Sequence, residues 1–558
     1  MSLKRRKIWW LSALSLIVVV AGALVGWHLY QYRETLSAAQ IRKNLASELI
    51  TTRQQQQAAL TKTYQQALNS EKYIAAQPYI KVNPYQTSPL TALVIFQTAK
   101  ASQVSLEVVG KTAKTSIKTT YPGYRTKHQL SVLGLYAATN NEVRLTIKQK
   151  NGTTTHQTLH IQTAKLPTAL ATIKINVKTA DKQKMVIGDD KLTFVVRTTK
   201  QPFAIDADGE IRWYSTDYSQ HVFKVLQNGH LLRLAKRNNQ ALVYNELLET
   251  DYLGRVYREY HFSGKTKSSN SQAKDDDVTV VHHDAIELPN KDLLLTVSDG
   301  GNKYIEDTMV QVSHKTGKIT KVIDMKKILP TKMWQDFDAM KRSDGKIDWL
   351  HQNSIYYDQT DQSIVISSRH QDLVMKLDYK TLQIKWLFSG QKAASWPLSY
   401  RDKLLKITGK TSYPGGQHAA ILLPTKTASK KTLILFNNNI AIVNGPKKTS
   451  GKYSEGIQYT LNEKTKTITQ TWAYGQSLGK ANFSPIIGSA RYLSATNRLL
   501  CFGYLDSGAH SNIIEVDQTT NQPVFDVELS NLGTKGYTYR SERFSLYPTH
   551  QKNTQTYE

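Results

Sequence analysis

Five times between Gln220 and Tyr492 the chain opens an alternating run in the same way, and four of the five openings carry a histidine. His221 begins Val222-Phe223-Lys224-Val225-Leu226, His283 begins Asp284-Ala285-Ile286-Glu287-Leu288, and in both an Asn turn follows seven residues after the histidine. The same opening recurs at His351 and His418, and without the histidine at Ser489; the intervals are 62, 68, 67 and 71 residues. A second short strand follows each opening, and turn-led strands ending in Trp, such as Thr381 to Trp386 and Glu463 to Trp472, come later in the repeat. Sequence that repeats at this length as short strands belongs to the large blades of a β-propeller. Residues 185–558 number about 374, and at roughly 65 per blade six blades is the natural count, with five and seven as its neighbours.

The expected fold is therefore all-β: a six-bladed β-propeller over 185–558, preceded by smaller parts. Residues 78–165 carry short alternating runs such as Thr91 to Phe96 and Glu142 to Ile147, separated by turn residues, which suggest a small β-sandwich. A linker is expected over 166–184. Residues 31–77 are rich in Gln, Ala, Leu, Lys and Glu and have no Pro or Gly from Arg33 to Gln77, which suggests a helical stalk. Ahead of it, Lys4, Arg5, Arg6 and Lys7 precede an apolar run over 8–30 flanked by Trp9, Trp10, Trp27 and Tyr30. That pattern predicts a transmembrane anchor with residues 1–7 in the cytoplasm and the body of the chain outside a cell membrane. A cleaved signal peptide ending near Ala21-Gly22-Ala23 is the competing reading.

Composition narrows the function. The chain of 558 residues carries a net charge of +29, but its lysines are spread along its length and no nucleic-acid module is recognisable. No nucleic-acid partner is expected; an anionic surface or anionic small molecules account for the charge as well. A single cysteine, Cys501, excludes an intrachain disulfide and any multi-cysteine metal site.

In a propeller the first strand of each blade lines the central channel, so equivalent positions converge on one axis. One histidine alone says little, whereas His283, His351 and His418 at one station of successive blades would form a ring of imidazoles at a channel mouth. His221, beside Lys224 and Gln220, has the weaker claim. Arg369 closes the strand after the one His351 opens, and should lie at the same end. A guanidinium beside imidazoles is an anion site, since its planar fork matches tetrahedral oxyanions. It also argues against a metal, as does the lack of an Asp or Glu at an equivalent station, so no metal and no cofactor are expected.

These residues carry a resemblance. From Tyr79 to Tyr547 the chain resembles the bacterial arylsulfate sulfotransferases, which take a sulfuryl group from an aryl sulfate without phosphoadenosine phosphosulfate. The matching segments include Asn83-Pro84-Tyr85, His283-Asp284, Asp348-Trp349-Leu350-His351-Gln352-Asn353, Ser367-Ser368-Arg369-His370, Gln417-His418-Ala419 and Tyr539-Arg540-Ser541-Glu542-Arg543. The resemblance implies that His418 is the nucleophile and becomes a sulfohistidine. It implies that His283, His351 and Arg369 hold the sulfuryl oxygens, with Asn353 as a substrate-binding neighbour. The partners it implies are a small-molecule phenolic sulfate donor, a phenol acceptor and a second copy of the chain in a homodimer. Periplasmic members carry a disulfide near the site, which Cys501 alone cannot supply. Two alternatives stand beside the transferase: an aryl sulfate hydrolase, and a non-catalytic cell-surface propeller that binds anionic or sulfated ligands.

Overall fold

The computed structural model describes residues 35–237, 243–263, 280–301, 303–423 and 429–549. Strands dominate them, arranged as six antiparallel-based sheets of four or five strands and one further sheet formed by residues 79–162. Each of the six has one strand that touches its counterparts in the neighbouring sheets: β1 (Ser219–Val225), β2 (Val281–Glu287), β3 (Gln352–Asp358), β4 (His418–Leu422), β5 (Ser489–Tyr492) and β6 (Thr538–Ser545). The contacts run β1 to β2 and onward to β6, which returns to β1, so the six inner strands close a ring. β6 comes from the end of the described chain, yet it pairs antiparallel with Lys191–Arg197 from its first third. That pairing completes the last sheet with early strands, and a ring closed this way leaves no inner edge free. The fold is all-β and propeller-like.

The sequence repeat is a repeat of bulges as well as of strands. The ladders of β1, β2, β3 and β4 slip in register at the repeated opening. Left-handed backbone sits at the same place: φ is 51° at His221, 40° at His283, 49° at His351 and 58° at Ala419. A bulge re-aims the side chain it carries. Here it swings one residue per sheet out of the regular in-out alternation and toward the ring's axis.

In the sheet of residues 79–162, one strand, Thr91–Val108, serves two sets of partners, and its pairing with Arg125–Leu133 breaks between Gln97 and Ser102. Its apolar face merges with the ring's: Leu93 and Val132 share a buried cluster with Phe194, Trp213 and Leu546. Arg212 fastens the junction. Its Nε donates to the Gly134 carbonyl at 2.8 Å, and its Nη1 to the Thr115 carbonyl at 2.9 Å and to Asp206 at 2.8 Å. The guanidinium lies 3.7 Å from the centre of the Tyr136 ring.

Three expectations are corrected here. In place of a stalk, the chain forms helix α1 (Ala38–Leu45), a strand Ser47–Ile50 and helix α2 (Thr52–Asn69). Ala46 turns left-handed at φ 35°, and the strand adds to the outer edge of the β1 sheet by pairing with Val256–Phe262. Apolar residues of this segment pack on the body: Ile41 and Leu45 bury beside Leu247, and Tyr64 and Ala67 beside Leu93. The linker is likewise structured, since Lys174–Ala180 pairs with Gln522–Ser530 as a fifth strand of the β5 sheet. Finally, among the described residues no helix is long and apolar enough to cross a membrane, so the placement as a single-pass membrane protein is withdrawn. The run 8–30 on which it rested lies outside the described residues.

Candidate active site

The inner-strand bulges bring the repeated histidines together. Ring centres lie 4.9 Å apart for His221 and His283, 4.5 Å for His283 and His351, and 6.4 Å for His351 and His418. His370, which follows Arg369, adds a further imidazole 4.6 Å from His351. Four further side chains come from one kind of loop, the connection between the second and third strands of successive sheets. Glu306 closes the connection after Leu293–Val297, Arg369 and His370 follow Ser363–Ser368, and Asn438 follows Lys430–Asn437.

Asn438 orients His418. Its Nδ2 donates to the carbonyls of Ser484 at 2.8 Å and Ile487 at 2.7 Å, which uses both amide hydrogens and turns Oδ1 toward the ring. Oδ1 can only accept, so His418 Nδ1, 2.7 Å away, carries a proton. The lone pair is then on Nε2, which has no partner among the described residues. Burial, with Arg369 and His351 adding to it, holds the His418 pKa well below the ordinary histidine range. The ring is neutral at pH 7, which a nitrogen nucleophile requires.

His351 stands in the opposite state. Its Nδ1 lies 2.6 Å from Asp348 Oδ2 and 2.9 Å from Glu306 Oε2. Burial pulls its pKa down, but the two carboxylates outweigh that and raise it to about 9. His283 is tied at both nitrogens, Nδ1 to the Tyr539 hydroxyl at 3.1 Å and Nε2 to Glu306 Oε2 at 2.9 Å. Burial lowers its pKa despite Glu306. Burial drives His370 further down, to about 2, and its Nδ1 donates to the Asp348 carbonyl at 2.5 Å.

Arg369 is 6% exposed and forms no ion pair among the described residues. Its Nη2 donates to the Pro485 carbonyl at 3.3 Å, while Nε is buried with no partner. A buried guanidinium normally has a carboxylate beside it, because an unpaired charge costs several kcal/mol to desolvate. The next residues fix its place: Asp372 Oδ2 accepts the backbone N–H groups of Ile442, Val443, Asn444 and Gly445 at 2.8 to 2.9 Å, which pins the loop after Asn438 against this turn. Beneath the histidines the ring is filled by charge: Asp284 pairs with Lys224 at 3.1 Å and with Arg540 at 3.3 Å.

Four of the five residues singled out from sequence therefore converge. Asn353 does not face the opening: it is fully buried, and its Nδ2 donates to the Gln417 carbonyl at 2.8 Å, bracing the residue before His418. His221, given the weaker claim, is part of the row, and its Nδ1 accepts the backbone N–H of His283 at 3.2 Å. Glu306, Asp348, His370, Asn438 and Tyr539 were not assigned roles from sequence. The position that revealed Arg369, the turn after a second strand, would also have pointed to Asn438. No Asp or Glu occupies the histidines' station, but Glu306 and Asp348 reach the ring from other positions. Ligand atoms of His282, His283 and Glu306 lie within 4.8 Å of one another, as do those of Asp348, His351 and His370. Hydrogen bonds between carboxylate and imidazole already account for the Glu306 and Asp348 contacts, and an unpaired guanidinium beside them disfavours a cation.

An open imidazole nitrogen, a protonated imidazole and an unpaired buried arginine in one place make a site for moving an anionic group. The comparisons name its class. Residues 176–540 match the family described as arylsulfotransferase (ASST), and residues 79–164 match the arylsulfotransferase Ig-like domain, so the chain belongs to the arylsulfotransferase family and is an aryl sulfotransferase. It is 26% identical over 526 residues to the arylsulfate sulfotransferase AssT of Escherichia coli O6:H1, covering 76% of this chain and 84% of that protein. It is 25% identical over 609 residues to the AssT of Lelliottia amnigena, covering 91% and 95%. Among solved structures, the periplasmic gluconolactonase PpgL of Pseudomonas aeruginosa covers 80% of this chain and 100% of its own at 7% identity, with a TM-score of 0.32, too low to carry an argument.

Proposed function

We propose that the six sheets are the blades of a six-bladed propeller, and that its mouth moves a sulfuryl group from a phenolic sulfate ester to a phenol through a sulfohistidine on His418. The observation that carries this reading is the pairing of a neutral His418, its Nε2 free, with the buried, unpaired Arg369. In the first half-reaction Nε2 attacks sulfur. The S–O bond to the aryl group breaks, its electron pair goes to the phenolic oxygen, and His351 Nε2–H gives that oxygen a proton. Arg369 faces the charge on the sulfuryl oxygens, a form of stabilisation in which fixed donors need no reorganisation during the step. In the second half-reaction a phenol gives its proton to His351 Nε2 as its oxygen attacks sulfur. The N–S bond breaks and its electron pair returns to His418.

This division of labour favours His351 over His283 as the acid, because His283 has both ring nitrogens engaged by Tyr539 and Glu306. The test is turnover of 4-nitrophenyl sulfate by the full chain, with and without phenol and with and without a chelator, beside His418→Ala. Phenol-dependent release that survives chelation and vanishes in the variant is the expected result. Equal release without phenol would make the protein a hydrolase, and release by His418→Ala at the parent rate would remove the nucleophile.

A further inference from the structure

Glu306 has no counterpart among the residues that the sequence pattern brings to the ring, yet one of its oxygens contacts two of the histidines. Oε2 lies 2.9 Å from His283 Nε2 and 2.9 Å from His351 Nδ1. The residue is held there by its backbone: φ is 57°, in the left-handed region, and its carbonyl accepts the N–H of Gln352, the residue after His351, at 3.2 Å. Left-handed backbone at a Glu is uncommon and persists only where its surroundings enforce it. Its carboxyl is held well below the usual range: burial works against ionisation, but His351, His283 and His282 together outweigh it.

We propose that Glu306 is a positioning residue for the transfer: its carboxylate, together with Asp348, holds the proton on His351 Nδ1 so that Nε2–H stays available to the departing phenol, while it binds His283 as a brace. The proposal rests on the reading of His351 as the acid given above. It places no group on substrate; Glu306 acts through His351.

The groups facing His351 all bear on its charge. Asp348 from its own segment and Glu306 from the preceding sheet favour the protonated ring, whereas burial opposes it. Arg369, His370, His283 and His418 surround the same space. Because the folded protein raises the His351 pKa to about 9, the acid is present below that pH and is lost as pH rises through it. Removing the Glu306 charge must move that loss toward neutral pH. The effect on rate must also depend on the leaving group, since 4-nitrophenolate departs without a proton and unsubstituted phenolate needs one.

The experiment uses the full chain and the variants Glu306→Gln and Glu306→Asp, both checked for parental thermal unfolding. With 4-methylphenol as the acceptor throughout, release of phenol from phenyl sulfate and of 4-nitrophenol from 4-nitrophenyl sulfate is followed from pH 6 to pH 10, and the His351 ring is titrated by NMR. The expected result for Glu306→Gln is a loss of about tenfold or more on phenyl sulfate, about threefold or less on 4-nitrophenyl sulfate, and an alkaline limb and ring titration both displaced to lower pH. Glu306→Asp, which keeps the carboxylate, recovers part of the loss on phenyl sulfate. An equal loss on both esters with an unmoved alkaline limb and unmoved titration would reduce Glu306 to a structural residue and overturn the proposal. Failure of the parent chain to turn over either ester would instead overturn the sulfotransferase reading itself, and the two failures are distinguishable.

Discussion

Replacing Asn438 with alanine tests how the structure prepares His418. The side chain makes three hydrogen bonds: it accepts from His418 Nδ1 at 2.7 Å and donates to the carbonyls of Ser484 and Ile487 at 2.8 and 2.7 Å. Each such bond contributes about 1 kcal/mol net, and a buried carbonyl left without a donor costs about 1–3 kcal/mol, so Asn438→Ala should lower stability by about 2–4 kcal/mol. The effect on chemistry is separate. Without the Oδ1 acceptor the imidazole is free to rotate and to place its proton on Nε2, where no lone pair faces sulfur. A loss of about 100-fold in kcat, or about 2.7 kcal/mol of transition-state stabilisation, is the expected size for a nucleophile whose tautomer is no longer held. The assay is steady-state transfer from 4-nitrophenyl sulfate to phenol, run well below the unfolding transition of the variant, with the tautomer read from the His418 ring nitrogens by NMR. A kcat within twofold of the parent would refute the reasoning, as would a loss that appears wholly in KM while His418 keeps its Nδ1 proton.

The same geometry sets the outcome of two other substitutions. Arg369→Ala should reduce kcat/KM by about 100- to 1000-fold, the scale on which a fixed donor to a developing anion acts, with Arg369→Lys recovering part of it; a change below fivefold would mean that the guanidinium does not face the sulfuryl group. Arg212→Met should destabilise the chain by about 3–5 kcal/mol in denaturant unfolding, because it leaves Asp206 buried without its 2.8 Å partner and strips donors from Gly134 and Thr115. A loss below about 1 kcal/mol would show that the junction it bridges is held by apolar packing alone.

How far the sequence could be read depended on which parts of the site repeat. The histidine station was legible because β1, β2, β3 and β4 bulge at the same opening, so His221, His283, His351 and His418 recur at nearly constant spacing. Arg369 was legible because it directly follows a strand. Glu306 does not: its strand ends at Val297, and Glu306 is reached only at the far end of the connection, just before Thr308–Val312, so no constant offset from a strand announces it. Asn438 stands directly after a strand, as Arg369 does, but a lone Asn there reads as an ordinary turn residue until its two carbonyl partners are known. Within the segment expected to be a stalk, Ala38–Leu45 and Thr52–Asn69 are helical. What the composition could not convey is that the body offers a sheet edge between them, which Ser47–Ile50 takes up.

The central claim is a covalent sulfuryl group on His418, and the most direct measurement is rapid mixing of the full chain with 4-nitrophenyl sulfate in the absence of any phenol. The account predicts a burst of one 4-nitrophenol per chain, followed by little further release, and a mass increase of one SO₃ group that maps to the peptide containing His418 and disappears when phenol is added. Steady release with no burst and no mass increase would contradict it, and so would an adduct that maps to His283, His351 or His370 and persists in His418→Ala.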